Sequence, residues 1–596
     1  MTIIGASSDT GPCHLGALFF QRVKELGERT CIKFQRHGRV EEISWKDFGS
    51  MVREVILGLY SLGLRKGDRV GILSENRVER LCADAATQAG GFPNVVVSPS
   101  LSDSMILRLF THSGARAVFM EHGTALGRVL NLKGQLPALD HMIVMDPIKS
   151  PPAGSLDFER LRLRGRKMDA NRLGTILESV HPDELAAIIY TSGSTGEPKG
   201  VMRTHRNLLS NIQGGTEILP GKPDALSLIA LSLNHFFGRF SFLKSMASGR
   251  TTAIVDATDR QLDLGTIQVF SPTAMSLVPR IMAIIWSAIL ADGDNQHLWE
   301  VTERLDQVRA EHGSLSAEEN QQYEAAKGSL GRGVRKALGG RIKYISYGGA
   351  AMAPRILRFF RVIGVPLLGA YGSTECGGVT LSGLDECKPG NLGKPFPNVE
   401  VRMADDGEVL VRGPAVTPGY YGNPEATREV LGPDGWFHSG DLGSLDADGS
   451  LRIIGRKNDI FNCSEGSNIY PGYIELLLEN DPVIRQAILV GDGRPFIAAL
   501  LVPDRGKIAA ELKKAEVSLT DGEIETVLWL RVEKINARLE HYEKVRKIAV
   551  LKRDFPEEVR SVTAFQKLKI DRKQVEKFYG KEIRVFYPCA SVRSGT

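Results

Sequence analysis

TSGSTGEPKG, residues 191 to 200, decides how this chain is read. Gly, Ser and Thr fill its first six positions, and such residues bring little apolar area to a core while costing backbone entropy when ordered. Upstream stands LAAIIY (185–190), the pattern of a buried strand. Downstream, GVMRTH (200–205) is a second short β-prone run that leads into the helical text HRNLLSNI. The stretch is therefore a loop bracketed by strands. Its glycines expose successive backbone N–H groups, its hydroxyls add donors and Lys199 adds a cation, a set suited to a polyphosphate. A Walker loop requires GxxxxGK[ST]; here the lysine follows Pro198, so that motif is absent. A solvent-exposed Gly/Ser connection is the competing reading, and the length and residue order of YTSGSTGEPKG favour the phosphate loop.

Working outward toward the N-terminus, the text alternates apolar strand, turn and amphipathic helix. DRVGILSE precedes a helix near Glu79 to Ala89, FPNVVVSP precedes a helix near Asp103 to Ser113, and RAVFME follows. That alternation predicts an α/β fold with much parallel sheet. From Ala291 to Lys336 the residues turn charged and Ala-rich, which reads as a helical surface insertion. After Gly390, short strands separated by turn signals predict a β-rich section. Beyond Asp459 a smaller α+β unit follows, with a Pro-initiated helix near Pro471 to Glu479, the strand QAILVG, and TDGE (520–523) as a capping box. The expected division is residues 1–455 as a large multi-subdomain α/β region, 456–459 as a hinge within GRKND, and 460–596 as a small mobile domain. There is no repeat of roughly 20–50 residues and no low-complexity segment.

With 596 residues, 42% hydrophobic and 24% charged, the chain is long enough for several packed cores. A net charge of +5 over that length gives nucleic-acid binding no support. No run reaches the roughly 18 to 20 apolar residues that span a bilayer, and the N-terminus lacks a signal-like pattern, so a cytoplasmic location is expected, with peripheral membrane contact left open. The seven cysteines are odd in number and show no CxxC spacing, which argues for reduced thiols. A homodimer is compatible with the sequence, which does not set the oligomeric state.

At this point the chain resembles the adenylate-forming superfamily of acyl- and aryl-CoA synthetases, luciferases and peptide-synthetase adenylation domains, and looks most like the long-chain acyl-CoA synthetases. YTSGSTGEPKGVMRTH matches that family's signature loop, and YGSTE (371–375), GWFHSGDLG (435–443), IGRKND (454–459) and GRPFIAALLVPD (493–504) follow in the family's order. The resemblance covers roughly residues 20 to 580. It implies an enzyme that uses ATP, Mg²⁺ and CoA to activate a small-molecule carboxylic acid, first as an acyl-adenylate and then as a thioester.

The same resemblance assigns the site residues. Thr191, Ser192, Gly193, Ser194, Thr195, Gly196 and Lys199 would close over the β- and γ-phosphates, with Thr195 also at the metal. Thr374 and Glu375 would sit at the α-phosphate and Mg²⁺, beside Gly372 and Ser373. Asp441 would bind the ribose hydroxyls with Arg456 assisting, while Gly348, Gly349 and Ala350 would line the adenine and Tyr371 would pack on it. His235, Phe236, Phe237 and Gly238, in LSLNHFFGR, would line the acyl pocket, although a histidine between such neighbours is equally often a partly buried core residue. Lys567 in VTAFQKLKIDR falls on the family's mobile catalytic lysine, with Ala564 in place of the usual proline. Asn458 stands at the hinge where relatives carry Lys or Asp. Ser464-Glu465-Gly466 replaces Ser-Gly-Gly, which sets a charge beside the expected thiol channel and raises a question about efficient running of both half-reactions.

The leading expectation is an ATP-dependent carboxylate–CoA ligase for a hydrophobic, fatty-acid-like acid. The alternatives are a family member that performs one half-reaction or loads a separate carrier protein, and a non-catalytic acyl or nucleotide sensor. Retention of Glu375, Asp441, Arg456 and Lys567 together weighs against the sensor.

Overall fold

The computed structural model describes residues 12–587 except 37, 193–196, 223, 256–261, 386, 387, 389, 463–467, 480, 538, 557–558, 563–567 and 571. A large α/β domain is followed by a smaller C-terminal one. The large domain holds two extended sheets. In the first, seven strands run in the order Ser155–Asp157, His141–Val144, Ala117–Met120, Val70–Leu73, Asn94–Val97, Leu185–Ser192, Pro198–Thr204. All pair in parallel except the last, which folds back on Leu185–Ser192. Parallel strands need crossover connections, and Val78–Ala89, Asp103–Ser113 and Gly123–Leu132 supply them as helices. Because both faces are covered, the strands are apolar throughout: VGIL, NVVV and AVFM are buried at every position.

The second sheet has nine strands. Its centre, from Thr30–Arg36 through Thr251–Ile254, Leu226–Ile229, Ala274–Leu277 and Tyr344–Tyr347 to Leu367–Ser373, is parallel. Antiparallel additions close it at either edge, with Gly377–Leu381 and Lys394–Pro395 on one side and Arg39–Ser44 on the other. In open α/β sheets ligands gather outside the carboxyl ends of the strands. The loop after Leu185–Ser192, the Gly348–Gly349 segment after Tyr344–Tyr347 and the Thr374–Glu375 turn after Leu367–Ser373 all lie at such ends.

The expected β-rich section is a four-stranded antiparallel sheet, Glu400–Met403, Glu408–Arg412, Phe437–Leu445 and Leu451–Arg456. In the C-terminal part, Ile484–Val490, Ile497–Pro503 and Val545–Val550 form a three-stranded sheet. Pro471–Glu479 and Asp521–Asn536 pack Ile474, Leu478, Ile524 and Leu528 into its core. Thr520 and Glu523 form the reciprocal capping box that TDGE predicts.

One expectation changes. Residues 291–336 are helical, as Gly293–His312 and Ala317–Ala337, but they are no mere surface addition. Trp299, Leu330 and Val334 are buried in the core beneath the second sheet, and Trp299 meets Phe359 edge-on at 5.0 Å. Tyr323, Ala326, Leu330 and Val334 recur at helical spacing and form one buried stripe, sparse in apolar residues yet continuous.

Candidate active site

The signature loop is flanked by two strands that pair antiparallel. Thr191 pairs with Lys199 and Ser192 with Pro198, so the strands bring the two ends of the loop together. Gly193, Ser194, Thr195 and Gly196 lie outside the described residues. Pro198, which has no N–H to give, opens the returning strand, where that loss is tolerated. Lys199 is mostly shielded; its ammonium sits 5.1 Å from the centre of the Tyr420 ring and 3.9 Å from the Glu429 carboxylate. Tyr420 is buried, pairs with Val201 as an isolated bridge and donates its phenol proton to Glu375 Oε1 at 3.2 Å. Sequence reasoning passed Tyr420 by, since a tyrosine in PGYYGNP reads as a turn aromatic.

Thr374 and Glu375 stand in the tight turn between Leu367–Ser373 and Gly377–Leu381. Ser373 Oγ accepts from the backbone N–H groups of Glu375 and Cys376, at 3.1 and 3.2 Å, and shapes the turn. Gly372 is required by close approach, because a Cβ there would lie 2.1 Å from the Gly377 carbonyl oxygen. Gly372→Ala is accordingly expected to destabilise the large domain by about 1–3 kcal/mol, the usual cost of overpacking, measurable by denaturant unfolding.

Beneath this turn lies Arg203, fully buried, donating to the carbonyls of Thr374 and Glu375 at 3.3 and 3.1 Å and to Asn211 Oδ1 at 3.3 Å. Its guanidinium also covers the Phe236 ring at 5.0 Å. Burial pulls its pKa down to about 10, which leaves it protonated at neutral pH. Arg203 thus ties the hairpin, the Glu375 turn and the expected acyl segment together. Its place in GVMRTH is the only sequence signal for it.

Asp441 and Arg456, distant in sequence, sit opposite each other in the antiparallel sheet. Arg456 Nε lies 3.1 Å from Asp441 Oδ1, and the Tyr371 hydroxyl donates to Asp441 Oδ2 at 2.7 Å. Burial, reinforced by the Asp441 charge, pushes the Tyr371 phenol up and keeps it a donor. Asp441 is buried while the Arg456 side chain is 60% exposed, so the carboxylate is oriented from beneath and capped by a movable cation. Gly348 is buried 3.0 Å, by its missing Cβ, from the Ala370 carbonyl oxygen; Gly349 adopts φ +84° and, with Ala350, is exposed. The segment is a small-residue ledge open to an approaching ring.

His235 occupies the N-cap position of Phe236–Ala247 with extended backbone and is half-buried. Phe236 is buried and stacks on Phe240 at 6.2 Å, Phe237 is half-buried, and Gly238 abuts the Ser232 carbonyl, 2.4 Å from where a Cβ would stand. At the expected hinge, Asn458 lies within the 3-10 turn Lys457–Asp459, and Lys457 is held by Asp406 at 2.5 Å and Glu408 at 3.2 Å. Glu465, Gly466 and Lys567 fall outside the described residues, as does the side chain of Ser192. Among the described residues no three His, Cys, Asp or Glu side chains cluster as a metal cage. Mg²⁺ commonly takes one or two carboxylates and completes its shell with phosphate oxygens and water, so Glu375 alone is a fitting protein ligand.

Two largely parallel sheets, followed by a β-rich section and a smaller C-terminal α+β domain, make up the fold of the adenylate-forming enzymes. The AMP-binding enzyme family model matches residues 19–421, and the AMP-binding enzyme C-terminal domain model matches residues 458–591. The chain belongs to this adenylate-forming enzyme family, the superfamily that includes the acyl-CoA synthetases. The long-chain-fatty-acid–CoA ligase FadD15 of Mycobacterium bovis is 32% identical over 597 residues, spanning 96% of this chain and 97% of that protein. Fatty acyl-CoA synthetase A of Dictyostelium discoideum is 28% identical, covering 80% of this chain and 74% of its own. In fold, the chain is similar to the crystal structure of the adenylation domain of a carboxylate reductase from Mycobacterium chelonae, with a TM-score of 0.74 at 20% identity over 97% and 92% of the two chains. It is also similar to ATP-bound MatB from Rhodopseudomonas palustris, with a TM-score of 0.71 at 20% identity over 96% and 99%. Among the described residues no helix is long and apolar enough to cross a membrane.

Proposed function

We propose that the chain is an ATP-dependent carboxylate–CoA ligase whose substrate is a hydrophobic, fatty-acid-like acid. The observation that carries the reading is Asp441, a buried carboxylate of the β-rich sheet held by Tyr371 at the end of Leu367–Ser373 and by Arg456, with acceptor capacity suited to a pair of ribose hydroxyls. The names of its relatives, fatty-acid–CoA ligases along nearly the whole chain, support the acid and the thiol.

In this reading the hairpin tip and Lys199 hold the β- and γ-phosphates, Thr374 meets the α-phosphate, and the Gly348–Ala350 ledge with Tyr371 receives the adenine. Mg²⁺, held by Glu375 with Thr195 beside it, would neutralise charge on the phosphates. The acid's carboxylate attacks the α-phosphorus, the bond to pyrophosphate breaks, and acyl-adenylate results; the CoA thiol then displaces AMP. Lys199 and Lys567 counter the negative charge that grows in the first step, where preorganised cations act most strongly. Residues 1–455 would carry adenylation and 460–596 would swing about 456–459 between the two steps, presenting Glu465 and Gly466 to the thiol.

Pyrophosphate and AMP release, measured separately with and without CoA across a panel of acids, tests the reading. Pyrophosphate formation that requires an acid, and AMP release accelerated by CoA, are expected. Thioester formation without adenylate formation from acid and ATP would instead favour the one-half-reaction alternative. Within the panel, hexanoate and longer acids should outperform acetate, with kcat/KM rising about threefold or more per methylene, since each buried CH₂ contributes about 0.8 kcal/mol. Acetate as the best substrate would refute the apolar pocket built from His235, Phe236, Phe237 and Gly238.

A further inference from the structure

We propose that Tyr420 is a positioning residue that couples the phosphate-loop cation to the metal carboxylate, seating Lys199 on its ring face and Glu375 at its hydroxyl. The inference rests on the functional reading above and goes beyond it, since neither the family motifs nor the site roles given there involve Tyr420. Two oppositely charged groups, each needed for a different part of the nucleotide, touch different parts of one side chain. The Lys199 ammonium lies 5.1 Å from the ring centre, and Glu375 Oε1 accepts the phenol proton at 3.2 Å.

The backbone that carries the ring is tied from several directions. The Tyr420 N–H donates to Thr427 Oγ1 at 2.9 Å, while the neighbouring Met202 N–H donates to the Gly419 carbonyl at 3.1 Å and Tyr421 N–H to the Gly200 carbonyl at 2.7 Å. The segment is thereby laced to the returning strand of the hairpin, Pro198–Thr204, which carries Lys199. The other group near Lys199, Glu429, is 71% exposed and 3.9 Å away, a pair that solvent screens.

The chemistry follows from how each contact holds its partner. A ring face attracts an ammonium without a charged acceptor, which leaves its N–H donors available to phosphate oxygens. A neutral hydroxyl orients Glu375 through one oxygen and leaves the carboxylate charge intact for a cation. A direct Lys199–Glu375 ion pair would instead spend both charges on each other and compete with phosphate and metal. Tyr420 gives each group a neutral partner.

The test uses the whole chain, ATP and Mg²⁺ as probes, and calorimetric binding as a readout besides turnover. Tyr420→Phe keeps the ring and removes the hydroxyl; Tyr420→Leu removes both contacts. Tyr420→Phe should bind ATP in EDTA within twofold of wild type, yet lose at least fivefold of the affinity gained on adding Mg²⁺, and should need more Mg²⁺ for half-maximal rate. Tyr420→Leu should in addition lose at least fivefold of the Mg²⁺-free affinity. In a Glu375→Gln background, Tyr420→Phe should have no further effect on Mg²⁺ dependence. Tyr420→Phe with wild-type Mg²⁺ dependence, or losing ATP affinity equally with and without Mg²⁺, would overturn the coupling. Asp441→Ala separates the two readings: if it binds ATP like wild type, the functional reading itself fails. If ATP binding depends on Asp441 while Tyr420→Phe is silent, the coupling alone falls.

Discussion

Asp441→Ala is expected to weaken ATP binding about a hundredfold and to slow adenylation, while the fold survives. A hydrogen bond to a charged group contributes about 1.5–3 kcal/mol, and a ribose offers the carboxylate two. The substitution also strips Tyr371 and Arg456 of their shared partner, but Arg456 is largely solvated and can relax. Thermal unfolding near wild type, with calorimetric ATP affinity reduced by two orders of magnitude, is the expected pair of results. An unchanged ATP affinity would remove the nucleotide from this site.

The second large effect concerns the two half-reactions. Lys567→Ala should cost on the order of 10² to 10³ in adenylate formation, comparable to deleting one preorganised donor from a transition-state site. Thiol transfer from supplied acyl-adenylate should survive, because the domain carrying Lys567 is expected to turn another face to the site for that step. Asn458→Pro should show complementary behaviour: locking φ and removing an N–H within the Lys457–Asp459 turn favours one arrangement over the other. Stopped-flow pyrophosphate release and thioester formation from synthetic adenylate read the two steps apart. Equal losses in both steps for both variants would contradict a rotating small domain. Glu465 sharpens the comparison: where the family resemblance sets its charge beside the thiol channel, wild-type transfer is expected to be the slower half.

The fold was legible where periodicity is strong. VGIL, NVVV and AVFM are unbroken apolar runs with helices between them, and only a parallel sheet covered on both faces accounts for that pattern. The two strands predicted on either side of the Gly/Ser loop also form, and they pair with each other antiparallel. The helical pair at residues 293–337 was underread because only four spaced residues with side chains to pack, Tyr323, Ala326, Leu330 and Val334, are buried on the second helix, beside Gly331. Asp441 and Arg456 were singled out through motifs; their direct opposition comes from strand register, which sequence does not display. Arg203 and Tyr420 were missed for the same reason. Each acts by touching residues far along the chain, Thr374 and Phe236 for one, Lys199 and Glu375 for the other.

Arg203 also bears on how enzymes of this kind can be recombined. Its buried guanidinium touches the hairpin strand that carries it, the Glu375 turn and the Phe236 ring in a single contact set. Neighbours in such a set do not contribute additively. A chimera that exchanges residues 231–240, the segment proposed to line the acid pocket, while keeping 198–204 and 371–376 from the first parent, would place a foreign side chain against a buried cation. Crossover points for altering acid preference therefore belong outside all three segments, so that they are inherited as one block.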